Sequence, residues 1–122
     1  MRKLTNIELN RPNLEEFKSL KKSNIIIVLD NIRSAHNVGS IFRSSDAFKV
    51  QKILAVGITA TPPNNEIRKT ALGAEQSVDW AISKNISEDL INLKKTGYEI
   101  ISVEQTNNST SLDKFTPKKN KI

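Results

Sequence analysis

The sequence contains no cysteine, which excludes both a disulfide framework and a thiolate metal site. Histidine occurs once, at His36, so nothing in the chain reads as a metal centre. Long hydrophobic runs are also missing. The longest, Ile25 to Leu29, is far too short to cross a bilayer. The first twenty residues carry Arg2, Lys3, Arg11 and Lys18 with no apolar stretch behind them, a pattern that argues against a secretory signal, and the lack of cysteine fits a cytoplasmic protein. The chain has neither a Walker A loop nor a G-x-G-x-x-G fingerprint, so two common phosphate-binding designs are excluded. No internal repeat occurs.

What is present is a chain of 122 residues, enough for one domain with one modest core. Its formal charge of +6 is concentrated at the ends. Residues 1–22 hold six basic and three acidic side chains, a net of +3, and residues 114–122 add Lys114, Lys118, Lys119 and Lys121, a net of +4. The body between them has nine basic and ten acidic side chains, a net of −1. Basic ends can grip phosphates without sequence preference; solvated termini that aid solubility are the plainer reading.

Hydrophobic patterning gives an α/β organisation. Asn10 to Ser23 reads as a helix, with Pro12 in its first turn and Leu14, Phe17 and Leu20 at helical spacing. Ile25 to Leu29 is a β-branched run without polar alternation, the pattern of a parallel strand buried on both faces. A polar loop, Asp30 to Asn37, leads into a helix from Val38, with Val38, Ile41, Phe42, Ala47 and Phe48 on its apolar side. Lys52 to Gly57 is a second strand, which completes a βαβ unit and a right-handed crossover. Beyond the turn at Pro62–Asn65, Glu66 to Leu72 reads as a short helix closed by Gly73, and Val78 to Ala81 as a short strand. Ser87 opens a further helix ended by Gly97, and Tyr98 to Val103 reads as another strand. The fold class that results is a parallel sheet with flanking helices.

In such sheets function gathers in the loops after the carboxyl ends of the strands. The loop after Leu29 supplies Asn31, Arg33, His36 and Asn37, and the following helix supplies Gly39 and Arg43. If Asn37 caps the helix, its side chain and the first free amides face the loop. Gly39 then permits close approach of backbone or ligand, and Arg43 adds a guanidinium suited to phosphate. The plainer alternative is an ordinary cap, a packing glycine and a surface arginine. His36 is a candidate base, although a loop histidine is more often simply solvated. Arg68 and Lys69 are candidate phosphate contacts, with solvent-facing charge as the alternative. Glu75 either orients a basic neighbour or caps a turn. Trp80 and Tyr98 could stack on a base, but core packing explains them more simply.

The stretch Leu29 to Val50, LDNIRSAHNVGSIFRSSDAFKV, resembles the first signature motif of the SpoU (TrmH-like) family of RNA ribose 2′-O-methyltransferases. That motif is an aspartate ending a strand, a loop, then N-x-G-x-x-x-R entering a helix; here Asp30, Asn37, Gly39 and Arg43 meet it. Ile67 to Glu75 is similar to the family's basic segment followed by Gly-Ala and Glu, Val78-Asp79-Trp80 to the strand after it, and Val103 to Thr106 to a later strand edge. The resemblance covers roughly residues 23 to 115. It implies a knotted SPOUT-like α/β fold, usually a homodimer, that transfers methyl from S-adenosylmethionine to a ribose 2′-hydroxyl of tRNA or rRNA. It also implies a catalytic role for Arg43 and a site-shaping role for Asn37. A guanidinium is a poor general base, since its pKa lies above about 12, so orientation and phosphate clamping suit Arg43 best. Asn31, Arg33, His36, Gly39, Arg68 and Lys69 are then the expected RNA contacts.

The family pattern continues into a G-x-E segment and a serine-leucine-asparagine segment that build the knot and bind the donor; neither occurs in these residues. The sequence therefore divides into a basic helical segment at 1–22, an incomplete methyltransferase domain at 23–115 and a lysine-rich tail at 116–122, with no cofactor-binding residues of its own. A fragment of a methyltransferase is the leading reading; an RNA-binding remnant without a methyl donor is the runner-up, and a generic α/β module for a small phosphorylated ligand is the third.

Overall fold

The β-branched run after Asn24 forms the first strand, β1 (Ile26–Asp30), in a computed structural model that describes residues 1–122. Helix α2 (Ala35–Ala47) carries the chain back, and β2 (Lys52–Val56) lies parallel to β1, with Ile27 beside Ile53 and Leu29 beside Ala55. This is the expected βαβ unit. Two short helices, α3 (Asn65–Ala71) and α4 (Ala74–Ser77), lead to β3 (Trp80–Ile82), which pairs parallel to β2. The sheet order is β1-β2-β3. Helix α1 (Leu14–Ser19) precedes the sheet and α5 (Ile86–Lys95) follows it.

The core occupies one side of the sheet. Strand periodicity sends Ile27, Leu29, Ile53, Ala55 and Trp80 to the same face. Helical periodicity brings Val38 and Phe42 of α2 down onto it, and Ile67, Ala71 and Ala74 close the layer from α3 and α4. Phe42, Ile53, Ile67 and Val38 are its largest fully buried side chains, each contributing roughly 1.5–3 kcal/mol by leaving water.

The opposite face departs from expectation. Ile26, Val28, Leu54 and Val56 are only half-buried, so β1 is not enclosed on both sides. Helix α5 buries none of its side chains. The segment Tyr98–Val103, expected as a strand, is irregular. A strand needs a hydrogen-bonded ladder, and beyond Tyr98 this segment bonds only to the C-terminal tail: Glu99 N–H donates to the Lys121 carbonyl, while the Glu99 carboxylate accepts from Lys118 N–H and Lys119 N–H. The tail in turn lies against β1, where Ile122 N–H donates to the Asn24 carbonyl and Ile26 N–H to the Ile122 carbonyl.

Several helix starts shift for identifiable reasons. Asn13 caps α1 in a capping box with Glu16, which leaves Pro12 outside the helix. Asn85, not Ser87, caps α5 by accepting from Glu88 N–H. The short strand moves two residues on, to Trp80–Ile82, because Asp79 sits at its entrance and its carbonyl accepts from Ile53 N–H.

Candidate RNA-facing site

The loop after β1 is shorter than its sequence suggests. Ser34 is the N-cap of α2, its hydroxyl accepting from Asn37 N–H at 3.2 Å. Asn37 is therefore the third helical residue rather than the cap, and its side chain is exposed. His36 likewise belongs to the first turn of the helix, not to a free loop. Arg43 is the ninth residue of α2, roughly 12 Å along the axis from the first. It stands about 120° around the helix from Asn37, so the two side chains leave different faces. One phosphate cannot meet both the helix amides and Arg43; a longer ligand lying along α2 can.

Gly39 does different work from that expected. It is buried, and a Cβ placed there would lie 2.0 Å from Thr70 Oγ1 and 2.3 Å from the Ile67 carbonyl. The glycine allows α3 to pack directly on the backbone of α2, and it has no surface to offer RNA. The expected RNA contact at Gly39 is corrected accordingly. Thr70 completes the joint by donating to the His36 carbonyl at 2.8 Å.

Asn31 also has a structural duty. It adopts a left-handed conformation with φ of 52°, and its Oδ1 accepts from Ile58 N–H at 3.1 Å. Its Nδ2 donates to the Asp30 carboxylate at 2.8 Å. A side chain at Gly57, whose φ is 62°, would collide with the Asn31 amide. Thr59 ties the same two loops from beneath. Its buried hydroxyl donates to the Leu29 carbonyl at 2.8 Å and accepts from Ile32 N–H at 3.0 Å. The ends of β1 and β2 are thus locked together under Arg33.

The charged residues divide into paired and unpaired. Glu66 on α3 contacts His36 Nε2 at 2.5 Å and Lys69 Nζ at 2.7 Å. The Lys69 ammonium, with a smaller contribution from His36, holds the Glu66 carboxyl below the usual carboxylate range. Arg33, Arg43 and Arg68 have no carboxylate partner and are exposed. Asn65, Glu66, Arg68 and Lys69 line an open groove along α3. Sequence reasoning brought forward Arg33, Arg43, Arg68 and Lys69 but missed Glu66, Thr59 and Thr70. Glu66 stands three residues before Lys69, a spacing that favours an ion pair on a helix. Thr59 lies just beyond the carboxyl end of β2, where parallel α/β sheets gather function. Nothing local marks Thr70.

The aromatic residues pack rather than stack on a ligand. Trp80 lies against the core, and buried Tyr98 donates its hydroxyl to Gln51 Oε1 at 2.7 Å. Glu75 caps its own turn by accepting from Gly73 N–H at 3.0 Å.

Residues 24–122 match the SpoU rRNA Methylase family. The 23S rRNA (guanosine-2'-O-)-methyltransferase RlmB of Neisseria meningitidis serogroup B is 29% identical over 101 residues, which cover 82% of this chain and 40% of that protein. The protein of the same name from Nitrosomonas europaea is 32% identical over 89 residues, covering 69% and 32%. Among solved structures, the A. aeolicus TrmH/SpoU tRNA modifying enzyme superposes with a TM-score of 0.59 at 21% identity, over 70% of this chain and 43% of the other, a likeness of fold. The AdoMet-bound rRNA methyltransferase from Sinorhizobium meliloti gives a TM-score of 0.52 at 25% identity, over 65% and 30%. The chain spans 40% and 32% of the length of the two curated relatives named here.

Proposed function

The chain belongs to the SpoU rRNA Methylase family, and from that premise we propose that it supplies the RNA-binding side of a ribose 2′-O-methyltransferase acting on tRNA or rRNA. One observation carries the reading. Of the nine basic side chains in residues 23–113, only Lys69 is ion-paired, and unpaired Arg33, Arg43 and Arg68 sit on the motif loop and on two helices packed against each other. Unpaired guanidinium groups on a rigid frame suit a polyanion, because each keeps its full fork of donors for phosphate oxygens.

Methyl transfer to a 2′-hydroxyl is an in-line displacement, so the hydroxyl must be oriented and must lose its proton as charge develops. Arg43 clamps the neighbouring phosphate and fixes that hydroxyl; Asn37, six residues closer to the loop on another face of α2, shapes the path of the RNA strand leading to it. Arg33 and Arg68 hold flanking phosphates.

A methyltransferase of this family implies S-adenosylmethionine as donor. The residues described here do not fit it. The groove on α3 is lined by polar and charged side chains alone, and no buried polar side-chain atom lacks a partner that an adenosine or a carboxylate would supply. The role of these residues ends at holding and orienting the RNA. The same misfit favours a second reading, RNA binding without methyl transfer.

No helix is long and apolar enough to cross a membrane. The reading sets the protein in the cytoplasm and, in its working form, in a homodimer; sedimentation velocity checks the dimer. RNA binding measured against salt tests the reading itself. A slope of log affinity on log salt near −2, from about three phosphates on a single strand, is expected. Arg43→Lys should weaken binding several-fold although it keeps the charge, since only the guanidinium bridges two phosphate oxygens. An affinity for RNA that does not respond to salt would end the proposal. Titrating S-adenosylmethionine into the chain should give no heat of binding; heat would overturn the misfit and favour the first reading over the second.

A further inference from the structure

We propose that His36, Arg68 and Lys69 form an RNA-phosphate site that Glu66 occupies from within, its carboxylate standing in for the phosphate until RNA displaces it. The inference rests on the RNA-binding reading above and adds the regulation of that surface.

Glu66 is the only carboxylate that pairs with basic side chains on this face. Its two oxygens are divided between His36 Nε2 at 2.5 Å and Lys69 Nζ at 2.7 Å. A phosphate oxygen offers the same acceptor chemistry to the same donors. Arg68 opens onto the same groove and has no carboxylate partner, so an incoming phosphate meets a third donor that Glu66 leaves unused.

The carboxylate is poorly explained as a structural staple. The side chains of His36, Glu66 and Lys69 remain 54%, 49% and 63% exposed, and ion pairs this open to water add little to stability. The joint between α2 and α3 stands without them. It is made by buried Val38, Ile67 and Ala71, by the flush contact at Gly39 and by the Thr70 hydroxyl on the His36 carbonyl. Lys69 holds the Glu66 carboxyl below its ordinary range, so the competitor stays charged at neutral pH. A permanently charged, weakly held carboxylate raises the threshold for binding. A single stray phosphate gains little by displacing it, whereas an RNA already held by Arg33 and Arg43 presents its next phosphate at high local concentration.

The test is Glu66→Gln in the full chain, with affinity for a fluorescein-labelled RNA hairpin read by anisotropy. Glutamine keeps the size and an acceptor but removes the charge. Binding should tighten about fivefold at roughly 0.1 M salt. Glu88→Gln on α5 changes the net charge equally and should leave the affinity within about twofold. In a His36→Ala/Lys69→Ala background, Glu66→Gln should give no gain. The thermal midpoint of Glu66→Gln should match that of the parent chain. An equal gain from Glu88→Gln, or a gain that survives loss of His36 and Lys69, overturns the site. So does a parent chain that binds RNA while Glu66→Gln binds no tighter, with the RNA reading left standing. If neither protein binds RNA, the RNA reading fails and this proposal with it.

Discussion

The two faces of the sheet are built differently. Toward α2 and α3, alternate strand residues meet a helical stripe, and Val38, Phe42, Ile53 and Ile67 are all at most 2% exposed. Toward α5 no helical side chain is buried and Ile91 stays exposed, as do Ile100 and Val103 of the irregular segment that follows. The packed face carries the motif loop, Arg43 and α3; the irregular segment and the lysine-rich tail pair with each other and reach the sheet at the edge of β1. The difference teaches that the proposed RNA contacts sit on the best-packed part of the molecule. That is what orientation of a phosphate requires, because a side chain on a loose frame loses its direction.

Substitutions can break that contrast. Phe42→Ala should cost about 4 kcal/mol in urea unfolding, since it empties the centre of the packed face. Ile91→Ala on α5 should stay within about 0.5 kcal/mol. Equal costs would mean that the faces are equally packed. Gly39→Ala comes next, at about 3 kcal/mol, because the new methyl meets the Ile67 carbonyl and Thr70 across a joint with no slack. Hydrogen exchange should localise its damage to α2 and α3. Thr59→Val should cost about 1–2 kcal/mol by leaving Ile32 N–H and the Leu29 carbonyl without their buried partner, while Thr59→Ser recovers most of it.

The smallest effect lies outside both faces. The guanidinium of Arg2, with the backbone N–H and hydroxyl of Thr5, pulls the Glu8 carboxyl down to about 2. A lowered carboxylate pKa contributes order that is present above the unfolded value and lost as pH falls through the folded one. The turn over residues 6–10 should therefore hold above about pH 4.5 and open as pH falls toward about 2, with the core unaffected. Amide shifts of Ile7 and Leu9 followed by NMR would sharpen the contrast. A core that loosens in step with them would show that the N-terminal segment is part of the packed unit.

Much of the packed face could be read from the sequence. The β-branched run, the helix from Val38 to Phe48 and the strand after Lys52 announce themselves by period, and the N-x-G-x-x-x-R order located the motif. What could not be read depends on partners distant in the chain. Gly39 is fixed by Ile67 and Thr70, Asn31 by Ile58, and the fate of Tyr98–Val103 by Lys121. The helix start failed for a local reason: Ser34 and Asn37 are both good caps, and Ser34 takes the role.

The central claim is that RNA engages the packed face. Amide chemical-shift mapping of the isotope-labelled chain with an RNA hairpin tests it most directly. Perturbations should concentrate at residues 31–43 and 64–70, with α5 and the tail little changed. Shifts concentrated instead in residues 86–122 would contradict it and assign RNA binding to the lysine-rich end.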